Sequence, residues 1–162
     1  DAERFRIMGA GYIGLTQYIP WLLEQMAKPH HARIAAEAFV NITGADFNLD
    51  QLETLPPEDF EDGPTDDPDD ENVELPEDIA LPWPDLEKIK LWWSKNQSRF
   101  QSATRYFLGM PVTPEHCIHV LKEGFQRQRV VASYHLSLLN PGTQFFPTAA
   151  PNKKQKRMLD KM

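Results

Sequence analysis

Residues 15–26, Leu-Thr-Gln-Tyr-Ile-Pro-Trp-Leu-Leu-Glu-Gln-Met, decide the class of fold. Leu15, Tyr18, Ile19, Leu22, Leu23 and Met26 fall at i, i+3, i+4, i+7, i+8 and i+11, which places them on one face of a helix. Pro20 interrupts the stretch, so the helix proper is expected to begin near Ile19 with the proline in its first turn, where a missing N–H costs nothing. Downstream, 32–42 reads as a second helix with Ile34, Ala35, Ala38, Phe39 and Ile42 on its apolar side, stopped by Gly44. His30-His31 reads as the turn between the two.

Further helices follow residue 85. Asp85 can cap one carrying Leu86, Ile89, Trp92 and Trp93. Thr113 can cap another, with Pro114 at its first position and Ile118, Val120 and Leu121 along it, broken by Gly124. Residues 128–139 read as one more, closed by Asn140-Pro141-Gly142. The tail from Asn152 is basic and is expected to fray.

Between these halves the composition changes. Residues 48–84 hold seven prolines, Pro56, Pro57, Pro64, Pro68, Pro76, Pro82 and Pro84, too many for a regular helix or a central strand. Fourteen of the 24 acidic residues lie between 50 and 78, and no Lys or Arg occurs between Arg33 and Lys88. The whole chain carries −7, so the remainder carries +7 (−7 + 14). The sequence therefore describes a mildly basic body with an acidic insert. Phe60, Val73, Leu75, Ile79, Leu81 and Trp83 are expected to dock parts of that insert on the body. The expected organisation is a helical segment 1–47, an acidic Pro-rich loop 48–84, a helical segment 85–147 packing as one domain with the first, and a basic tail 148–162.

Several function classes fall away. A net charge of −7 argues against nucleic-acid binding by the whole chain. No run approaches the roughly 20 apolar residues that span a membrane. The lone Cys117 cannot form an internal disulfide. The chain begins at Asp1 and is read as a piece of something longer. No catalytic residues, cofactor or metal are assigned. The strongest enzymatic motif is Gly9-Ala10-Gly11-Tyr12-Ile13-Gly14, which matches the G-x-G-x-x-G of dinucleotide sites. It needs a preceding strand, for which only residues 5–8 are available, and further strands after it, so close helix packing is the preferred reading of its small residues. His116 and His119 sit at i and i+3 beside Cys117 but lack an evident third ligand. The run Asp66, Asp67, Asp69, Asp70 and Glu71 lacks the EF-hand pattern, and Pro68 breaks it, so it reads as a solvated anionic loop. A Mg²⁺-dependent nuclease centre would need a neighbouring Lys, and the acidic region has none. Trp92-Trp93 and Tyr106-Phe107 read mainly as core residues.

A weak internal repeat joins the two ends. Residues 33–39 (Arg-Ile-Ala-Ala-Glu-Ala-Phe) are similar to 129–135 (Arg-Val-Val-Ala-Ser-Tyr-His), and 4–13 share the pattern about one unit earlier. Helix pairs recurring at roughly 30 residues suggest an α-solenoid, whose units bury their apolar faces by stacking. The stretch 33–44, the loop 63–71 with Leu81-Pro82-Trp83-Pro84-Asp85, Trp92-Trp93, Arg99-Phe100, 105–109 and 124–129 together resemble the C-terminal portion of an uncharacterised family of bacterial HEAT-like repeat proteins often encoded in type VI secretion gene neighbourhoods. The resemblance covers most of 6–147. It implies an all-α HEAT-like repeat fragment with the acidic loop inserted between helices, and a cytoplasmic protein serving that system. The role it implies is an immunity protein that neutralises a cognate protein toxin, with no direct contact to nucleic acid or membrane. A structural or cargo-adaptor protein of the secretion system is the alternative. A dinucleotide enzyme built on Gly9, Gly11 and Gly14 is the third reading. For toxin binding, the carboxylates Asp59, Glu61, Asp62, Asp66, Asp67, Asp69, Asp70 and Glu71 would face a basic cleft. Phe60, Trp83 and Trp92 would supply apolar anchors.

Overall fold

The computed structural model describes residues 2–58, 60 and 77–162, and these are mostly helical. The helices are α1 (Ala2–Ile13), α2 (Ile19–Met26), α3 (Pro29–Thr43), α4 (Leu86–Asn96), α5 (Pro114–Glu123), α6 (Gln126–Leu139) and α7 (Asn152–Leu159). Their ends follow local chemistry. Pro20 sits in the first turn of α2. Asp85 Oδ1 accepts from the Lys88 N–H at 3.1 Å, and Thr113 Oγ1 from the His116 N–H at 3.2 Å, capping α4 and α5. Gly44 ends α3 in the left-handed conformation at φ 68°. Gln128 Oε1 reaches back to the Phe125 N–H at 3.1 Å, so α6 starts at Gln126, two residues earlier than the pattern suggested.

Three expectations need correction. His30 and His31 belong to the first turn of α3, because Pro29 supplies a preset φ at the first helical position. The basic tail is not frayed at 152–159. There α7 packs Met158 and Leu159 against the second core, and its buried Gln155 donates to the Thr148 and Ala150 carbonyls at 3.0 and 2.5 Å while accepting from Arg129. Finally, the described residues are not purely helical. Two short antiparallel ladders are present: β1 (Glu53–Thr54) with β2 (Trp83–Pro84), and β3 (Tyr106–Phe107) with β4 (Met110–Pro111).

The second ladder organises the core. Helices α1 and α2 both pack on α3, and α5 packs on α6. Two apolar clusters result, one built on Ile7, Ile19, Leu22, Ile34, Phe39 and Ile42, the other on Cys117, Leu121, Val131, Ala132 and Phe146. Successive strand residues point to opposite faces. Tyr106 accordingly enters the first cluster and Phe107 the second. The turn between β3 and β4 places both Leu108 (φ 49°) and Gly109 (φ 78°) in the left-handed region, the arrangement of a two-residue type I′ hairpin.

That hairpin also closes two helix ends. A helix leaves its last carbonyls without intrahelical donors. At the end of α1, Arg105 Nε donates to the Ile13 carbonyl at 2.8 Å and the Tyr106 N–H to the Gly14 carbonyl at 2.7 Å. At the end of α3, the Leu108 N–H donates to the Asn41 carbonyl at 2.7 Å and the Gly109 N–H to Ile42 at 3.1 Å. Such close backbone approach leaves no room for side chains. A Cβ on Gly14 (φ 78°) would stand 2.2 Å from the Tyr106 carbonyl oxygen.

The glycine motif is thereby explained. Residues 5–8 are helical rather than a strand, Gly9 and Gly11 lie inside α1, and Gly14 ends it. Gly11 faces α3, where a Cβ would lie 2.8 Å from the Ala38 Cα, while a Cβ on Gly9 would meet nothing within 4 Å. Two substitutions in one motif should thus have opposite signs. Gly14→Ala should lose at least about 2 kcal/mol, since left-handed backbone strain adds to a backbone collision. Gly9→Ala should gain about 0.5–1 kcal/mol from helix propensity alone. Urea unfolding followed by far-UV circular dichroism measures both.

Candidate functional site

The insert departs from and returns to the body at β1 and β2. Glu53 pairs with Pro84 and Thr54 with Trp83, and the Asp85 N–H donates to the Leu52 carbonyl at 2.7 Å. This short ladder closes the base of the excursion, so the chain between 55 and 82 starts and ends at one place. Proline is tolerated in such a strand because only one edge is paired.

Trp83 sits at this base and is buried. The guanidinium of Arg33, from α3, lies 5.0 Å from its ring centroid, a cation–π contact. Phe60 packs on its other neighbours, 4.9 Å from the Trp83 ring and 5.3 Å from the His30 ring. The indole Nε1 of Trp83 has no hydrogen-bond partner among the described residues. Beside it runs an open groove of about 800 Å³, lined by Trp83 with Arg33, Leu55, Phe60, Ile79 and Leu81 among others. A second groove of about 710 Å³ shares Arg33, Leu81 and Pro82 with the first and carries Glu37 and Asp46.

The return leg is held by charge. Asp78 is 7% exposed and is gripped by Arg4 of α1 through both guanidinium Nη atoms, one of them at 2.8 Å from Oδ1. Glu77 joins at 2.9 Å from Arg4 Nη2. Arg127, at the start of α6, makes a two-pronged pair with Glu37 of α3 at 2.5 and 2.6 Å and lies 3.5 Å from Asp78 Oδ1. Two acidic side chains of the insert, Glu77 and Asp78, are therefore matched to the body by cations on α1 and α6. Hydrogen bonding to Asp78 raises the Arg4 pKa, and hydrogen bonding to Glu37 raises that of Arg127. Bidentate guanidinium–carboxylate geometry is the strong form of this contact.

The anchors expected from sequence fall in different places. Trp83 and Phe60 meet at the base of the insert, as described above. Trp92 is half-buried and packs edge-on against Phe39, with ring centroids 5.7 Å apart, so it serves the core of the helical body. Ile79 is exposed and Leu81 half-buried. Asp59, Glu61, Asp62, Asp66, Asp67, Asp69, Asp70 and Glu71, like Val73 and Leu75, lie outside the described residues. Arg4, Asp78 and Arg127 carried no sequence signal as a set.

The titratable groups elsewhere serve packing. His116 Nε2–H donates to the Phe107 carbonyl at 2.8 Å and His119 is exposed, so the two do not converge. No group of three or more His, Cys, Asp or Glu that could hold a metal occurs among the described residues. Burial pushes the Cys117 thiol up to about 11, which keeps it protonated and unreactive. His135 is buried beside Phe107, its Nδ1 3.1 Å from Arg105 Nη2, so that nitrogen accepts and Nε2 carries the proton. Burial first, then the charge of Arg105 and the neighbouring His116, hold its pKa down at about 4. Among the described residues, no helix is long and apolar enough to cross a membrane.

Two stability tests follow from these contacts. The unfolded His135 titrates near its ordinary 6.5 and the folded one near 4, so between these values the unfolded chain binds more protons. Its contribution is complete above pH 6.5 and declines as the pH falls toward 4. His135→Gln should flatten that part of the stability-versus-pH curve relative to the wild type, measured by urea midpoints at successive pH values. Asp78→Asn, which leaves Arg4 facing a neutral amide, should cost about 2 kcal/mol. That loss should shrink when Arg4→Met is combined with it in a double-mutant cycle. Comparison of the chain with family models, curated proteins and solved structures finds no match.

Proposed function

We propose that this chain is a non-catalytic protein-binding module, and specifically an immunity protein that captures a basic protein toxin of a type VI secretion system in the cytoplasm. The observation that carries this reading is the segregation of charge. Fourteen carboxylates lie between 50 and 78 without a single Lys or Arg, on a remainder of the chain that is net positive. An insert of that composition repels itself and gains nothing from collapse. Its usefulness lies in the field it presents to a partner of opposite sign, where steering accelerates encounter. A toxin with a phosphate-binding cleft offers such a surface, and the insert would cover the cleft as an anionic mimic of nucleic acid.

Closure of the insert by the β1–β2 ladder supports the same reading. An excursion fixed at both ends presents its charges from a defined site on the body, which lowers the ordering cost of docking. The scaffold is read as a HEAT-like repeat fragment. In support, residues 33–39 lie on α3, the second helix of the packed α2–α3 pair, and 129–135 lie on α6, the second helix of the packed α5–α6 pair.

The test is co-expression with the product of the adjacent gene. Co-purification of the two proteins together with rescue of growth is the expected outcome, and rescue with no detectable binding would sink the reading. Binding should weaken steeply with added salt, because exposed charges are screened beyond about 8–10 Å at physiological ionic strength. Replacing Asp66, Asp67, Asp69, Asp70 and Glu71 by Asn and Gln should lower the association rate about tenfold or more and flatten its salt dependence, with less effect on dissociation.

A further inference from the structure

We infer that the outward face of α7 docks an acidic helix of a partner protein, whose Asp and Glu side chains at helical spacing answer its cations. The inference goes beyond the capture of a toxin by the insert and does not depend on it. Helix α7 turns the buried Gln155, with Met158 and Leu159, toward the second core. At about 100° per residue, Lys153, Lys154, Lys156 and Arg157 fall on the other side, and all four are exposed. Lys161, in the turn that follows, is exposed as well. Residues 152–162 thus hold five cations and one carboxylate, Asp160. None of the five is paired with a carboxylate among the described residues.

This charge works against the helix that carries it. Lys153 stands three residues from Lys156 and four from Arg157, and Lys154 three from Arg157, so like charges face one another along the same side. Lys156 and Arg157 suit the negative end of the helix dipole, but Lys153 and Lys154 occupy the positive end, where the first turn holds no acid. The N-cap is Pro151, which offers no side-chain acceptor. A helix of eight residues is too short to hold on its own propensity. It is fixed instead by the Gln155 hydrogen bonds to Thr148, Ala150 and Arg129. Carboxylates at 153 and 154 would serve the helix better, so its stability does not account for the lysines there. Local choices that oppose the fold are typical of functional surfaces.

The surroundings select the kind of anion. Single-stranded nucleic acid needs aromatic side chains on which bases stack, and α7 has none. A membrane-surface helix inserts its apolar side, whereas Met158 and Leu159 are turned to the core. Duplexes and anionic lipid surfaces also carry extended fields, which the chain's net −7 repels. A short acidic helix senses only charges within about 8–10 Å at physiological ionic strength, and over that distance α7 is cationic. Its carboxylates, spaced three and four residues apart, recur with the same rise as the α7 cations. Laid side by side, the two helices match opposite charges, as the flanking positions of coiled coils do.

The experiment uses the full chain and a fluorescein-labelled, alanine-based helical peptide with glutamate at alternating three- and four-residue spacing, followed by anisotropy at low ionic strength. The expected result is saturable binding that weakens at least about tenfold when Lys153→Glu and Arg157→Glu are combined. Lys153→Glu and Lys154→Glu, made singly, should each raise the urea midpoint, because they relieve repulsion and suit the dipole. Weaker binding with higher stability is the signature of a binding role. A lower midpoint accompanying the loss of binding would make the cations structural and overturn the proposal. Absence of binding would overturn it too, as would equal binding by a peptide whose glutamates are gathered at one end, since net charge alone would then suffice. Tighter binding to a DNA duplex, or to phosphatidylcholine vesicles containing phosphatidylserine, would assign the face to another class of partner. Peptide binding that emerges only after Asp66, Asp67, Asp69, Asp70 and Glu71 are replaced by Asn and Gln would assign it to the chain's own segment. Dimerisation abolished by the double reversal would assign it to a second copy. Each of these three assignments overturns the proposal, and none of them bears on capture of a toxin by the insert.

Discussion

Four carbonyls at the ends of two helices set the arrangement of the described residues. Ile13 and Gly14 at the end of α1, and Asn41 and Ile42 at the end of α3, point their oxygens at a single short hairpin. Left unpaired and shielded from water, each would cost about 1–3 kcal/mol. The hairpin supplies four N–H donors, three from backbone and one from Arg105, and the arginine adds a positive charge where the helix dipoles are negative. Because β3 is extended, its two residues also face opposite ways. Tyr106 completes the α1–α2–α3 core and Phe107 the α5–α6 core. The left-handed backbone of Leu108 is the local cost of this arrangement, tolerated because its N–H finds the Asn41 carbonyl. His135 extends the same logic: it receives the far side of the Arg105 guanidinium and must stay neutral to remain in the core.

A second constraint ties the insert to this body. Asp78 is nearly enclosed, and an enclosed carboxylate is stable only when its charge is answered. Arg4 and Arg127 answer it from α1 and α6, while Glu37 of α3 keeps Arg127 in balance. Three helices distant in sequence therefore converge on one turn of the acidic segment. Together with the β1–β2 ladder, this fixes the return leg of the insert beside Trp83.

The parts of this arrangement that the sequence discloses are those set by neighbouring residues. Pro20, Gly44, Asp85 and Thr113 mark helix ends because the proline ring, the left-handed glycine and the capping oxygens act within a few residues. The hairpin escapes such reading. Leu108-Gly109 lacks the Asn-Gly or Asp-Gly signature of a type I′ turn, its strands have two residues each, and what holds it are carbonyls far away in the chain. Helix α7 escapes for the opposite reason: its lysines and Arg157 dominate the pattern, and the contact that orders it depends on Gln155 meeting Arg129. Trp83 could be named as an anchor from its place among prolines, and it does lie at the insert's base. Trp92 reads from its helical spacing mainly as a core residue and also serves as a candidate anchor; its packing against Phe39 assigns it to the core. Asp78 is one acid among many until Arg4 and Arg127 select it.

The division between matched and unmatched charge bears on how a partner would be held. Glu77 and Asp78 already have cations from the body, so they add little to the field that a partner meets at a distance. Long-range attraction must come from carboxylates without such neighbours, and it is a property of their number more than of their placement. Electrostatic steering of that kind sets the association rate and fades with salt. Residence time depends instead on desolvated contacts with fixed geometry, of which buried aromatic and arginine anchors are the usual source. In the proposed role the insert draws a basic protein toward the body, and apolar contacts with that body retain it. The ladder and the ionic grip on Asp78 hold the departing and returning legs of the insert together on the body. Without that closure, the same carboxylates on a free tail would attract a partner to no particular place.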